Sequence, residues 1–395
     1  MSAEGEAIRS NDYRKDTTVK APSTRPAAVL GLDVGKSSHW ACLIDRDGEV
    51  LASAPVRNRE AELDALFASA PAGTLVVVDQ FRNIGSLAVR RARAAGLEVA
   101  YLPGLAASRA AGLFAGEAKT DERDAAVIAR TALGVPDSLS GVPGRGEALE
   151  AARALSSQRD HVVACATRDK NRLRAVLLES CPALEAAVDL SDRRWLELLA
   201  GFGGAWGIAR SGAGGPQAEA AGEAAAASTA PPPALVEAEN RQVRFLAARI
   251  SEALDEAGAL EAETAALLEG DETYACLLTV PGIGPRTAAR LAVSVDIGRF
   301  PDHDHLASYC GIAPRVRSSG TSVRSVRASR RGDAKLKSLL IFSCNSLVRS
   351  SGRYGEYYRA CRARGMGHGR ALKAVARKRL RAIYAVMRDR VPYRE

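Results

Sequence analysis

Aromatic residues are scarce in this chain. Phe, Trp and Tyr together make 5% of its 395 residues, which excludes base stacking as the main mode of any nucleic-acid binding. Cysteines are few and scattered: Cys42, Cys165, Cys181, Cys276, Cys310, Cys344 and Cys361 form no CxxC pair and no Cys/His cluster at zinc spacing. They read as buried thiols in a reducing cytoplasm. No apolar run approaches the ~20 residues of a membrane span, and the polar N-terminus lacks the apolar stretch of a signal peptide. The expected location is therefore the cytoplasm.

Acidic residues are scarce in one place. From Pro314 to Glu395 there are 22 Lys/Arg against 4 Asp/Glu, a net of +18, whereas the rest of the chain has 33 against 42, a net of −9. An Arg-rich genome would spread its bias everywhere, and the acidic remainder argues against that cause. A basic end on an acidic body points to a polyphosphate partner, DNA or RNA.

The stretch "VLGLDVGKSSHWACLID" lacks the spacing of a phosphate loop. Only three residues lie between Gly31 and Gly35, and a P-loop needs four between its first Gly and its Gly-Lys. What remains is Asp33, closing an apolar, strand-like run.

The pattern around it divides the chain. Residues 1–25 read as a disordered tail. Residues 26–140 alternate as β-β-β-α-β-α-β-α, with "DRDG" turning the chain at Asp45–Gly48 and "TLVVVDQ" reading as a buried strand. Residues 141–270 are rich in Ala, Leu, Arg and Glu. They read as a helical arm, a coiled coil or a plain bundle, around a low-complexity linker at 211–233. Residues 271–395 read as mostly helical and begin with "LLTVPGIGPRTAARLAV". There Gly282 and Gly284 suggest a helix-hairpin-helix whose backbone N–H groups approach a phosphate, or a simple packing turn.

Acids collect at strand ends and at one helix start. Asp33 and Asp79 each close a strand, and "KTDERDAAVIA" places Asp121 and Asp124 three apart on one helix face. Alone, each has an ordinary explanation; the helix pair suits the positive end of a helix dipole. Together they are what a two-metal nuclease needs, because Mg²⁺ (or Mn²⁺) takes one or two carboxylates and keeps its other positions for water and phosphate. The order of elements with these acids suggests an RNase H-like fold.

"CGIAPRVRSSGTSVRSVRASRRGDAKLKSLL" sets Ser318 and Ser319 among Arg315, Arg317, Arg324, Arg327, Arg330 and Arg331. Arginines could clamp a scissile phosphate beside a serine nucleophile, or the segment is a polar loop with capping serines.

These segments, with "VVVDQ", "LASYCGIAPRVRSSGTSVR" and "SRRGDAKLKSLL", resemble the insertion-sequence one-ten family of DEDD transposases, which includes the Piv-type DNA invertases. The resemblance runs from about residue 27 to 390, apart from the linker. It implies a fold of α/β plus α: an N-terminal RuvC/RNase H-like domain, a helical coiled-coil arm, and a C-terminal transposase domain. It implies Mg²⁺ on Asp33, Asp79, Asp121 and Asp124, and a covalent serine–DNA link at Ser319, with Ser318 as the alternative. It further implies donor and target DNA, a structured non-coding bridge RNA, and a homo-oligomer, dimer or tetramer. One residue departs from the family: its second acid is usually Glu, and Asp79 draws the carboxylate in by about 1.5 Å. Rival expectations are a RuvC-like nuclease acting by water attack, an actin-like sugar kinase or ATPase, and a packaging protein without catalysis.

Overall fold

The computed structural model describes residues 26–114, 120–142, 146–319, 323–328 and 332–394; of 314–319 and 323–328 it describes the backbone. The expected tail at 1–25, and Arg330 and Arg331, lie outside the described residues. The chain divides into two compact units, Met1–Gly144 and Arg145–Glu395.

The first unit follows β1 (Ala28–Asp33), β2 (Ser38–Asp45), β3 (Val50–Arg57), α1 (Glu60–Ser69), β4 (Thr74–Val78), α2 (Ser86–Ala94), β5 (Glu98–Tyr101), α3 (Gly104–Ala111), α4 (Asp121–Gly134) and β6 (Ser140–Gly141). One mixed sheet results, in the order β3-β2-β1-β4-β5-β6. β1, β4 and β5 run parallel, while β2, β3 and β6 are antiparallel to their neighbours. β1 and β4 are buried along almost their whole length, as expected of central strands covered on both faces. Their alternation sorts two cores. Leu30, Leu32, Val76 and Val78 pack with Leu63, Phe67, Val89 and Ala92 of α1 and α2. Val29, Leu75 and Val77 pack on the opposite face with Ala125, Ile128, Ala129 and Ala132 of α4.

This mixed sheet between helices is consistent with the RNase H-like expectation. The "DRDG" turn closes on Asp45, whose Oδ1 accepts the N–H groups of Asp47 and Glu49, both at 2.9 Å. Helix α3 is an additional helix between β5 and α4, beyond the expected order. Of its residues only Ala110 is buried.

The second unit begins with α5 (Glu147–Ser180), α6 (Pro182–Ala187), α7 (Arg193–Phe202), α8 (Ala205–Ser211), α9 (Pro216–Ala226) and α10 (Pro233–Leu267). Ion pairs fix α5 and α10 as antiparallel: Arg159 meets Glu261 at 2.7 Å, and Asp169 meets Arg249 at 3.0 Å. The expectation of a flexible linker at 211–233 is corrected here. Helix α9 occupies its middle, and Ala218, Ala221, Ala224 and Ala225 are buried against Trp195, Leu199, Val243 and Ile250. Low complexity is not low burial: alanine is the strongest helix former, Pro216 suits a first helical position, and methyl side chains let the helix pack closely.

The unit continues with α11 (Glu272–Leu278), α12 (Pro285–Ser294), α13 (His303–Tyr309), β7 (Pro314–Ser319), β8 (Val323–Ala328), α14 (Ala334–Phe342), α15 (Asn345–Val348), α16 (Arg353–Ala363) and α17 (His368–Asp389). Its core gathers on α17 through Val375, Ala376, Leu380 and Ile383. All seven cysteines are free thiols; six are buried, and Cys165 is half-exposed. Among the described residues, no helix is long and apolar enough to cross a membrane.

Candidate active site

Strand alternation puts Asp33 on the face of the sheet that α4 covers, because Val29 and Gly31 precede it on that side. Asp79 follows β4 directly. The parallel register that pairs Leu32 with Val78 makes Asp33 and Asp79 neighbours at the carboxyl ends of adjacent strands. The N–H of Val34 donates to Asp79 Oδ1 at 3.2 Å and ties the two strand ends together.

Helix α4 brings the other two acids. Thr120 caps it, its Oγ1 accepting the Arg123 N–H at 3.3 Å, and Asp121, Glu122 and Asp124 fill the first turn, where the helix dipole favours negative charge. The helix comes close to β1 because Gly31 has no side chain. A Cβ there would stand 2.4 Å from the Ala125 carbonyl oxygen and 2.7 Å from the Ala129 nitrogen. This close approach is what Gly31 does in the "GLDVG" motif.

The electrostatics single out Asp79. Burial pushes its carboxyl above the usual carboxylate range, the Val34 N–H pulls it partly back, and the negative charge of Asp124 raises it further. Asp33, Asp79 and Asp124 are half-buried, whereas Asp121 is exposed. The donor set is all carboxylate, and two of its members repel each other; both properties suit a hard divalent cation. Among the described residues, however, no three His, Cys, Asp or Glu stand close enough together to hold a metal ion.

One neighbour was not singled out from the sequence. His39 on β2 is 2% exposed, and its Nδ1 accepts the Gly35 N–H at 3.2 Å. Burial lowers its pKa, while Asn58 and the charge of Asp79 pull it partly back, so the ring is neutral near pH 7. His39 thus holds the β1–β2 loop that leads away from Asp33. The only sequence signal was its place, one residue into a strand that starts on polar serines.

The remaining candidates belong to the second unit. Ser319 ends β7, Ser318 opposes Arg324 in the ladder, Arg315 opposes Arg327, and Arg317 opposes Ser325. The segment therefore pairs as two antiparallel strands rather than forming a plain loop, as β-branched Val316, Val323 and Val326 favour. Between α11 and α12, Gly282 has a left-handed φ of +74°, and a Cβ on it would lie 2.8 Å from Leu347 and 2.9 Å from Arg379. Gly282 is thus a packing glycine, whereas nothing crowds Gly284 within 4 Å. Arg379, 0% exposed, clamps this turn: it donates to Pro281 O at 3.3 Å, Ser343 O at 3.0 Å and Leu340 O at 3.2 Å, and to Ser343 Oγ.

Known proteins resemble this chain along most of its length. Residues 30–182 match the transposase family DEDD_Tnp_IS110, and residues 274–359 match the transposase family IS116/IS110/IS902. The IS900 insertion-element 42 kDa protein of Mycobacterium paratuberculosis is 32% identical over 92% of this chain and 96% of its own. The pilin gene-inverting protein of Moraxella bovis is 34% identical over 30% of this chain and 37% of its own. Among solved structures, T. thermophilus RuvC in complex with a Holliday junction substrate covers 29% of this chain and 99% of its own, at 16% identity and a TM-score of 0.24. The IS110 insertion-element 43.6 kDa protein of Streptomyces coelicolor is 35% identical over 91% of this chain and 94% of its own, and the chain belongs to the IS110 family of transposases.

Proposed function

We propose that this transposase cuts and rejoins DNA for an insertion element through a divalent-metal carboxylate site and a serine nucleophile. What supports the reading is that Asp33 and Asp79 end adjacent strands on the side of the sheet that α4 covers, and that Asp79 feels the negative charge of Asp124 at the start of α4. Asp33, Asp79, Asp124 and, from the exposed start of α4, Asp121 would hold Mg²⁺ or Mn²⁺. When bound, the metal would supply charge stabilisation at the scissile phosphate and activation of the attacking oxygen.

The chain's own residues do the rest. Gly31 sets the height of α4 over β1, and the Val34–Asp79 hydrogen bond fixes the second acid. Ser319 Oγ attacks phosphorus, one strand P–O bond breaks, and the hydroxyl proton ends on the departing strand oxygen. The serine phosphodiester keeps the bond energy, so the reverse attack by a strand hydroxyl rejoins DNA and returns the proton to Ser319 without an external energy source. The arginines of the β7–β8 hairpin and the Gly284 turn would hold the backbone phosphates.

Base recognition fits a paired guide RNA, which leaves the protein to read backbone and shape. The α5–α10 helix pair fits assembly into a dimer or tetramer, since Leu178 and Phe245 are exposed on it.

The test uses labelled donor DNA, Mg²⁺ and the full chain. A denaturant-stable protein–DNA adduct that Ser319→Ala abolishes supports the serine route. Cleavage that survives Ser319→Ala, with a free 5′-phosphate and no adduct, replaces it with water attack.

A further inference from the structure

The second unit contains a cleft of about 680 Å³ walled by α5, α12 and α14. Four cations line it: Arg159, Arg286, Arg290 and Lys335. Among the described residues, two carboxylates serve them. Asp160 takes Arg290 at 3.2 Å and Lys335 at 2.9 Å; Glu261 takes Arg159 at 2.7 Å and meets Arg286 only at 4.0 Å. Burial pushes the Arg286 guanidinium down from its ordinary pKa, and the charge of Arg159 adds to that effect. The Nε of Arg290 is buried and has no acceptor among the described residues. The cluster is thus over-supplied with positive charge and with donors, which a bound anion would correct.

The cleft also has an apolar side. Val163 and Leu339 form part of its wall, and Phe342 lines it while 67% exposed. A phenylalanine this exposed lacks the packing that usually keeps the residue inside. Cations beside one accessible ring match a nucleotide: a guanidinium fork takes the phosphate and the ring takes the base. The volume lies in the range of small-ligand sites. A base already paired in a duplex could not turn its face to Phe342.

We propose that this cleft seats one unpaired nucleotide, its phosphate on Arg286, Arg290 and Lys335 and its base against Phe342. The inference rests on reading the chain as a DNA-processing recombinase. Along the chain, Lys335 lies in the first turn of the helix that follows the basic β7–β8 hairpin, so the cleft and the proposed nucleophile segment are adjacent in sequence. The unpaired nucleotide comes either from an opened DNA strand or from RNA.

The experiment measures anisotropy of short labelled single-stranded DNA, single-stranded RNA and duplex DNA with the full chain, Phe342→Ala and Arg286→Gln. Phe342→Ala is expected to weaken single-strand binding roughly ten-fold and to leave duplex affinity and thermal stability unchanged. Arg286→Gln is expected to lower the single-strand salt slope by roughly 0.7, the value of one lost phosphate contact. The oligonucleotide that responds, DNA or RNA, identifies the source. Variants that bind single strands as the parent does overturn the proposal. So does a parent that binds duplex but no single strand, and in that case the recombinase reading stands. Failure to bind duplex as well overturns both.

Discussion

The backbone N–H of Val34 donates to Asp79 Oδ1 across 3.2 Å, linking the residue after Asp33 to the end of the neighbouring strand. The bond spans 45 positions of sequence and makes the first two acids one unit. It also partly compensates a carboxylate that its surroundings disfavour, since burial and Asp124 both raise the Asp79 pKa.

That raised pKa has a stability consequence. The folded state holds the Asp79 proton to higher pH than the unfolded chain does, so stability falls as pH rises from the ordinary carboxylate range through the elevated value. Above that window the penalty is complete; below it there is none. Asp79→Asn keeps an acceptor for Val34 and removes the charge. It should raise the melting temperature of the first unit by about 1–3 °C at neutral pH in chelator, show no gain at low pH, and abolish DNA cleavage. Calorimetry across pH checks it; a variant that melts below the parent at neutral pH contradicts it.

Gly31 controls the distance between α4 and β1. Gly31→Ala puts a methyl 2.4 Å from the Ala125 carbonyl oxygen, and backbone on both sides cannot yield cheaply. The helix must lift, and with it Asp121 and Asp124. Overpacking of this kind costs about 1–3 kcal/mol, and displacement of catalytic groups by about 1 Å can cost about 100-fold in rate. Cleavage should fall by about that factor while DNA binding persists, a split that paired cleavage and binding assays on the purified variant would read.

Arg379 is the structural counterpart in the second unit. Its guanidinium satisfies three carbonyls on two separate segments, Pro281 in the glycine turn and Leu340 and Ser343 at the end of α14. Arg379→Ala leaves these acceptors buried and opens a cavity, with an expected loss of about 3 kcal/mol or more. Arg379→Lys should recover only part of it, because a single ammonium cannot span the fork. Urea unfolding of the two variants against the parent measures both; equal stability of all three would remove the clamp.

Much of the first unit was legible in sequence because its signals are local. β1 and β4 are short apolar runs that end in an acid, and Asp45–Gly48 is a turn of ordinary chemistry. The positions of Asp33, Asp79, Asp121 and Asp124 were legible because each sits at the end or start of such an element. What they share, the α4 face of the sheet, depends on Gly31, and a glycine needed for close approach reads in sequence like any other. His39 was hidden because its contacts, with Gly35 and with Asn58 after β3, join separate segments of the chain. Helix α9 was hidden for another reason: its alanines carry little periodic contrast, and only the partners Trp195 and Val243 make them a core. The cleft of Arg159, Arg286 and Lys335 joins residues more than 170 positions apart, a juxtaposition no spacing rule reaches.

Charge gives the last prediction. The 22 basic and 4 acidic residues from Pro314 to the C-terminus make phosphate neutralisation the main source of DNA affinity, since aromatic residues are only 5% of the chain. Each cation that contacts a phosphate releases condensed counterions, so log affinity should fall linearly with log salt. With about 6–10 contacts the loss between about 50 and 200 mM salt is about 10³- to 10⁵-fold. Neutralising Arg324 and Arg327 together, as Arg324→Gln and Arg327→Gln, should reduce the slope by about two contacts without changing sequence preference, because backbone contacts carry no base information. The same pair should leave the Asp79→Asn stability gain intact, since the hairpin and the acids belong to different compact units. A flat salt response in the parent, or an unchanged slope in the double variant, would shift DNA binding away from this hairpin.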